Sequence, residues 1–135
     1  MSIPTLETLA KQRTVRLTTY KRDGTPVGTA VNIVVSGELA YFRTYDKAWK
    51  SKRLHNNPHV TVAHSTFRGE ATGPSVRGRT RLLSKAESKP IRRLLARKHP
   101  IQQGLVVPLT HKLLRYETLH YELVLENVGA GSAPQ

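Results

Sequence analysis

Between Arg13 and Tyr20 apolar and polar residues alternate, with Val15 and Leu17 on one side and Arg16 and Thr18 on the other. That is the period of a strand with one covered face. Asp23-Gly24 follows, a pair that supplies the positive φ angles of a tight hairpin turn, and Pro26 opens the return strand. In that strand Val27, Thr29, Val31, Ile33 and Val35 share one face, and Gly28, Ala30, Asn32 and Val34 the other. Both sets are small or apolar, so both faces are expected to be covered. Ser36-Gly37 marks a second tight turn and Leu39 to Thr44 a third strand; His59 to Ser65 reads as a fourth, with Val60 and Val62 on the same side. Phe67 to Pro74 is rich in turn formers and reads as a loop. Ser75 to Leu83 makes a fifth strand, and Tyr121, Leu123 and Leu125 alternate against Glu122, Val124 and Glu126 as the last.

The intervening segments carry the longer helical period. Ile3, Leu6 and Leu9 form a short amphipathic stripe, with Thr5 or Ser2 as its cap. Between the third and fourth strands a basic helix is expected from Asp46, as N-cap, to the residue before Pro58. Lys47, Lys50 and Arg53 recur every third residue and share a helical face, which Lys52 flanks. Ser84 and Glu87 fit a capping box, and Ile91, Leu94 and Leu95 form the apolar stripe of a helix that must end near His99, before Pro100. From Ile101 to Arg115 Gly104 and Pro108 interrupt a helical pattern, so short or broken helices are expected. Residues 1–128 read as a single domain and 129–135 as a flexible, polar tail. Antiparallel pairs joined by tight turns, about six strands in all, predict a mainly β fold with helices: a small closed or split antiparallel barrel.

Charge sharpens this picture. Lys and Arg number 22 against 9 Asp and Glu, a formal net charge of +13, which favours polyanionic partners. With aromatic residues at only 6% and no recognition-helix or RNP-like motif, nucleic acid is the remote alternative and a charged small cofactor the nearer one. The basic helix offers a phosphate-sized anion site, because lysines beside a helix N-terminus add charge to its unpaired N–H groups; a solvated basic face is the alternative. Arg77, Arg79 and Arg81 must likewise point one way from their strand, toward water or an anion. No run approaches the ~18 apolar residues of a membrane span, and no leader is evident, so a cytosolic protein is expected. The chain has no Cys, which excludes a disulfide framework and thiolate chemistry. His55 and His59 are separated by Pro58 and do not share a helical face, so no metal site is expected. There is no Gly-x-Ser-x-Gly elbow and no placed pair of carboxylates. Gly24 and Gly28 lie in a hairpin with no helix behind them, unlike a dinucleotide fingerprint. Any enzymatic chemistry would therefore come from a bound cofactor.

Several stretches together resemble a known family: Leu17 to Thr29, Tyr41 to Thr44, Lys50-Ser-Lys-Arg-Leu-His-Asn-Asn-Pro58 with Val60 to Ala63, then Gly73-Pro74 and Val76 to Arg79. Over roughly residues 13 to 83, in order and spacing, they are similar to the flavin/deazaflavin oxidoreductase B group, actinobacterial proteins related to pyridoxamine 5′-phosphate oxidase and often dependent on coenzyme F-420. The resemblance implies a six-stranded split β-barrel that forms a homodimer, with the cofactor in a groove at the subunit interface. It assigns the cofactor phosphate to Lys50, Lys52 and Arg53, with Thr44 at the preceding strand end, and sets the main chain of Ala30, Val31 and Asn32 against the ring system. The implied activity is hydride transfer from reduced F-420 to a small unsaturated acceptor. FMN is the alternative cofactor, and non-catalytic carriage of F-420 the alternative role. Ala30 stands where many relatives carry Pro, and His64-Ser65 where many carry Pro-Cys.

Overall fold

In the computed structural model residues 4–45, 48–99 and 118–126 are described. Nine elements follow in order among them: α1 (Leu6–Ala10), β1 (Thr14–Tyr20), β2 (Pro26–Ser36), β3 (Leu39–Tyr45), α2 (Trp49–Asn56), β4 (His59–Ser65), β5 (Ala71–Leu82), α3 (Lys85–Lys98) and β6 (Thr118–Leu125). The expected short helices between Ile101 and Arg115, the proposed cap Asp46 with Lys47, and the tail at 129–135 lie outside the described residues.

The strands close into an antiparallel barrel in the order β1-β2-β3-β6-β5-β4. Alternation does the sorting. On β1, Val15, Leu17 and Thr19 are fully buried and face inward, and Val31 and Ile33 of β2, Ala40 and Phe42 of β3, Val60 and Val62 of β4, Val76 of β5 and Tyr121 and Leu123 of β6 complete the interior. Phe42 and Tyr121 stack with ring centroids 5.4 Å apart. Truncating one of these large side chains to Ala costs roughly 2–5 kcal/mol. A second, smaller core lies outside the barrel, where Ile91 and Leu95 of α3 cover Val34 and Leu83. The C-terminal half of β2 is thus covered on both faces. Toward its N-terminal half the described cover on the outer face is slight: Gly69 lies against Ala30, and Gly28 lies under the Arg16 guanidinium.

Local signals set the ends. Thr5 caps α1 and Ser84 caps α3, each in a capping box. Gly24 and Gly37 take positive φ in the two hairpin turns. Two expectations are corrected. β5 begins at Ala71, so Gly73-Pro74 lies in a strand rather than a loop. Pro74, which has no N–H to donate, falls where the β4–β5 register shifts, between Ser75 opposite Ala63 and Ala71 opposite Ser65. And α2 starts at Trp49 with Ala48 as N-cap and no side-chain cap bond, not at a turn capped by Asp46.

Candidate functional site

The ladder between β2 and β3 is short. Among the described residues it runs from Ser36 opposite Leu39 to Ile33 opposite Phe42. Below that point β2 continues on β1 alone, from Asn32 to Pro26, and β3 continues on β6 alone, to Tyr45. A split therefore opens in the barrel wall. If the register were extended, Asn32 would face Arg43 and Val31 would face Thr44, so the main chain of Ala30, Val31 and Asn32 forms one wall and Thr44 belongs to the other. Backbone N–H and C=O groups beyond the end of a ladder take their partners from outside it. At the apex of the split, buried His99 at the C-cap of α3 donates from Nε2 to the Ile33 carbonyl at 3.1 Å.

Side chains along the split differ in what they can offer. Val31 and Thr44 are 5% and 4% exposed and face the interior, so only their main chain is available. Asn32 is half-buried, and its Oδ1 accepts from the Thr14 hydroxyl at 3.5 Å. Ala30 points outward against Gly69 of the β4–β5 turn, where a Cβ added to the glycine would come within 2.7 Å of the Ala30 methyl. The Arg16 guanidinium, which crosses Gly28, donates to the Gly69 carbonyl at 3.1 Å and straps that turn down.

The foot of the split is closed by α2, which follows directly from β3. Leu54 and Ser51 are buried beneath the helix. Arg53 donates from Nε to the hydroxyl of fully buried Thr19 at 2.6 Å, which fixes its guanidinium at the end of β1. Lys50, one turn earlier, is half-buried. Burial, followed by the neighbouring Arg53 charge, pushes its ammonium down to about 8 from the usual 10.5. Among the described residues no carboxylate contributes to that balance. Lys52 is exposed and sits over the Trp49 ring at 4.4 Å, a cation–π contact at the surface. Helix periodicity announced the shared face of Lys50 and Arg53; the Thr19 anchor, on a distant strand, carried no signal in the sequence.

The arginine stripe is a separate feature. Arg77, Arg79 and Arg81 do share the outer face of β5, but β5 lies across the barrel from β2. Arg81 is held by Glu122 and Glu87, with N–O distances of 3.1 and 2.9 Å. Two hollows lie on other strands, the first reaching Leu119 of β6, the partner of Thr44. One of about 650 Å³ is lined by Leu83, Lys85, Lys89 and His120 at the start of α3. The other, about 430 Å³, is bordered by Tyr20, Thr61 and Arg77. Among the described residues no three His, Asp or Glu side chains converge as a metal site would need, and no helix is long and apolar enough to cross a membrane.

A family model described as pyridoxamine 5′-phosphate oxidase matches residues 5–108, which takes in the split, α2 and α3. The chain belongs to the pyridoxamine 5′-phosphate oxidase family. Solved structures agree on the fold. A protein of unknown function from Agrobacterium tumefaciens superposes with a TM-score of 0.66 at 22% identity, over 88% of this chain and 51% of that one. An FAD-binding protein from Mesorhizobium loti gives 0.62 at 18% identity, over 90% and 84%. An F420 reductase gives 0.57 at 17% identity, over 90% and 93%. No protein of curated function matches the chain.

Proposed function

We propose that the chain is an oxidoreductase of this family that uses reduced deazaflavin coenzyme F-420 to reduce a small unsaturated acceptor, acting as a homodimer. The observation that carries the reading is the pair Lys50 and Arg53. Two cations are held together at the foot of a split, one of them desolvated, with no acid among the described residues to offset them. Such an arrangement is unfavourable until an anion arrives, and a phosphate within reach of both supplies it. The resemblance to the F-420-dependent group and the fold shared with an F420 reductase support the same cofactor.

In this reading Lys50 and Arg53 hold the phosphate, with exposed Lys52 beside them. Thr19 keeps Arg53 aimed. The β2 main chain at Ala30, Val31 and Asn32, beyond the end of the β3 ladder, lies along the ring, with Thr44 in the facing wall. From the β1 row of Arg16, the partner of Ala30, to that of Thr19 is three residues, or about 10 Å of strand, a separation suited to a ring system at one end and a phosphate at the other. When bound, the reduced deazaflavin supplies the hydride. The protein binds, orients and excludes water. A second barrel packed on the outer face of β2 beside Gly28 and Ala30 would close the groove from outside.

FMN fits the same phosphate pair, and the fold shared with an FAD-binding protein keeps flavin as the second reading. Fluorescence quenching on titration with F-420 and with FMN tests both, and turnover with a panel of quinones and enones separates an enzyme from a carrier. Failure of both cofactors to bind, or binding unchanged in Lys50→Ala, overturns the site.

A further inference from the structure

The hollow of about 430 Å³ on the far side of the barrel has a chemistry of its own. Tyr20, His59, Thr61, Arg77 and Glu126 line it. Arg77 and Thr61 are cross-strand partners of β5 and β4 on the outer face. Glu126 is brought alongside because its N–H donates to the Arg77 carbonyl at 2.9 Å. Neighbours of opposite charge, Arg77 and Glu126 nonetheless form no ion pair with each other; Glu126 lies instead 3.8 Å from His59 Nδ1. Among the described residues Arg77 thus faces the hollow without a carboxylate, whereas Arg81, on the same face of the same strand, is held by two.

We propose that this hollow binds a small zwitterion, a molecule with a carboxylate at one end and an ammonium group at the other. A guanidinium is a planar fork that matches a carboxylate, and Glu126, an acceptor only, suits the ammonium. The Thr61 and Tyr20 hydroxyls add hydrogen bonds and the Tyr20 ring an apolar wall. A cavity of this size lies within the range of small-molecule sites. A polyanion such as nucleic acid fits less well, because Glu126 opposes its phosphates. The site is independent of the cofactor reading: Thr19, which anchors Arg53, points into the barrel, and Tyr20, next along β1, borders the hollow.

The test uses the isotope-labelled full chain without added cofactor, titrated with 4-(aminomethyl)benzoate and, as single-ended probes, benzoate and benzylamine. Amide shifts are read at Thr61, Arg77 and Glu126. The zwitterion should move these amides with a Kd at least about fivefold below that of either single-ended probe. Arg77→Gln should abolish its advantage over benzylamine, and Glu126→Gln its advantage over benzoate. Both side chains lie at the surface, so the variants should keep the dispersed spectrum of the parent. Three probes that bind alike, shifts confined to other residues, or a preference that survives both substitutions would overturn the proposal.

Discussion

Lys50 shows how one residue couples stability to binding. Its ammonium lies in a site that disfavours charge, so the folded pKa, about 8, is below the usual 10.5. The sign follows directly. Between those two values the unfolded chain binds more protons than the folded one, so stability should rise with pH across that window, and below about 8 the full electrostatic penalty is present. Lys50→Met should therefore leave the cofactor-free protein as stable as the parent or more so at pH 7, and flatten its stability between pH 8 and 10, read from urea midpoints. The same substitution should abolish tight cofactor binding. Lys50→Ala should weaken binding by roughly ten- to a hundredfold, the worth of one charge-assisted hydrogen bond, and exposed Lys52→Ala by only a few-fold. Equal small losses would mean that both are simply solvated. The pairing of Lys50 with Arg53 was readable from their spacing, since helical neighbours recur at three and four. What sets that pair apart, the burial of Lys50 and the Thr19 anchor of Arg53, depends on strands far away in sequence.

At the scale of elements, the features legible in advance were those decided within a few residues. Ser84 and Glu87 form their box as expected, with Glu87 N–H donating to the Ser84 hydroxyl at 3.2 Å and Ser84 N–H donating to the Glu87 carboxylate at 2.9 Å. Glu87 then does more than its spacing disclosed: hydrogen bonds from Arg81, first, and from Ser84 hold its carboxyl down at about 2 against the usual 4.5. A depressed carboxylate stabilises above its unfolded pKa and stops doing so as pH falls through the folded one. The difference in urea midpoint between the parent and Glu87→Gln should accordingly be constant above about 4.5 and close toward pH 2. A difference independent of pH would assign the effect of Glu87 to the cap alone. Ser84→Ala should cost about 1 kcal/mol and loosen α3 from Val34. By contrast, the start of β5 was hidden. Thr72 to Ser75 is largely exposed and turn-rich, and it is held as strand by pairs at its two ends, Ala71 with Ser65 and Ser75 with Ala63 across an irregular register, which is a tertiary fact. The turn before it is equally context-bound: Gly69 combines a φ of 90° with a close approach to Ala30. Gly69→Ala should lose at least ~1–2 kcal/mol from the backbone alone. It should also loosen the Arg16 strap, visible as faster hydrogen exchange at residue 69.

For the whole molecule, the six-strand barrel was legible because alternation and turn residues act locally, but the position of the split was not. Nothing in the residues of β2 says that its described ladder to β3 ends at Ile33; both faces of the strand read as covered, and α3 covers one half of it. The thin cover on the outer face around Ala30 leads to the expectation of a homodimer, and light scattering at micromolar concentration should show one. A monomer that still binds cofactor tightly would remove the interface groove from the reading.

The choice between cofactors is also decided at this scale, by charge. FMN presents a single phosphate, whereas F-420 presents a phosphodiester and an oligoglutamate tail, and the chain carries a formal charge of +13. The stripe of arginines does not face the split, and Arg81 is already paired, so the longer anion must draw on exposed cations near α2, such as Lys52, and on the general positive field. Attraction of that kind is screened over about 10 Å at ~0.1 M salt, while a phosphate held against half-buried Lys50 is screened far less. F-420 should therefore bind more tightly than FMN at low salt, and the gap should narrow as salt is raised. A truncated deazaflavin without glutamates should follow FMN in its salt response. If FMN binds more tightly at every ionic strength, the deazaflavin reading fails and the flavin one replaces it, with the same Lys50 and Arg53 holding its phosphate.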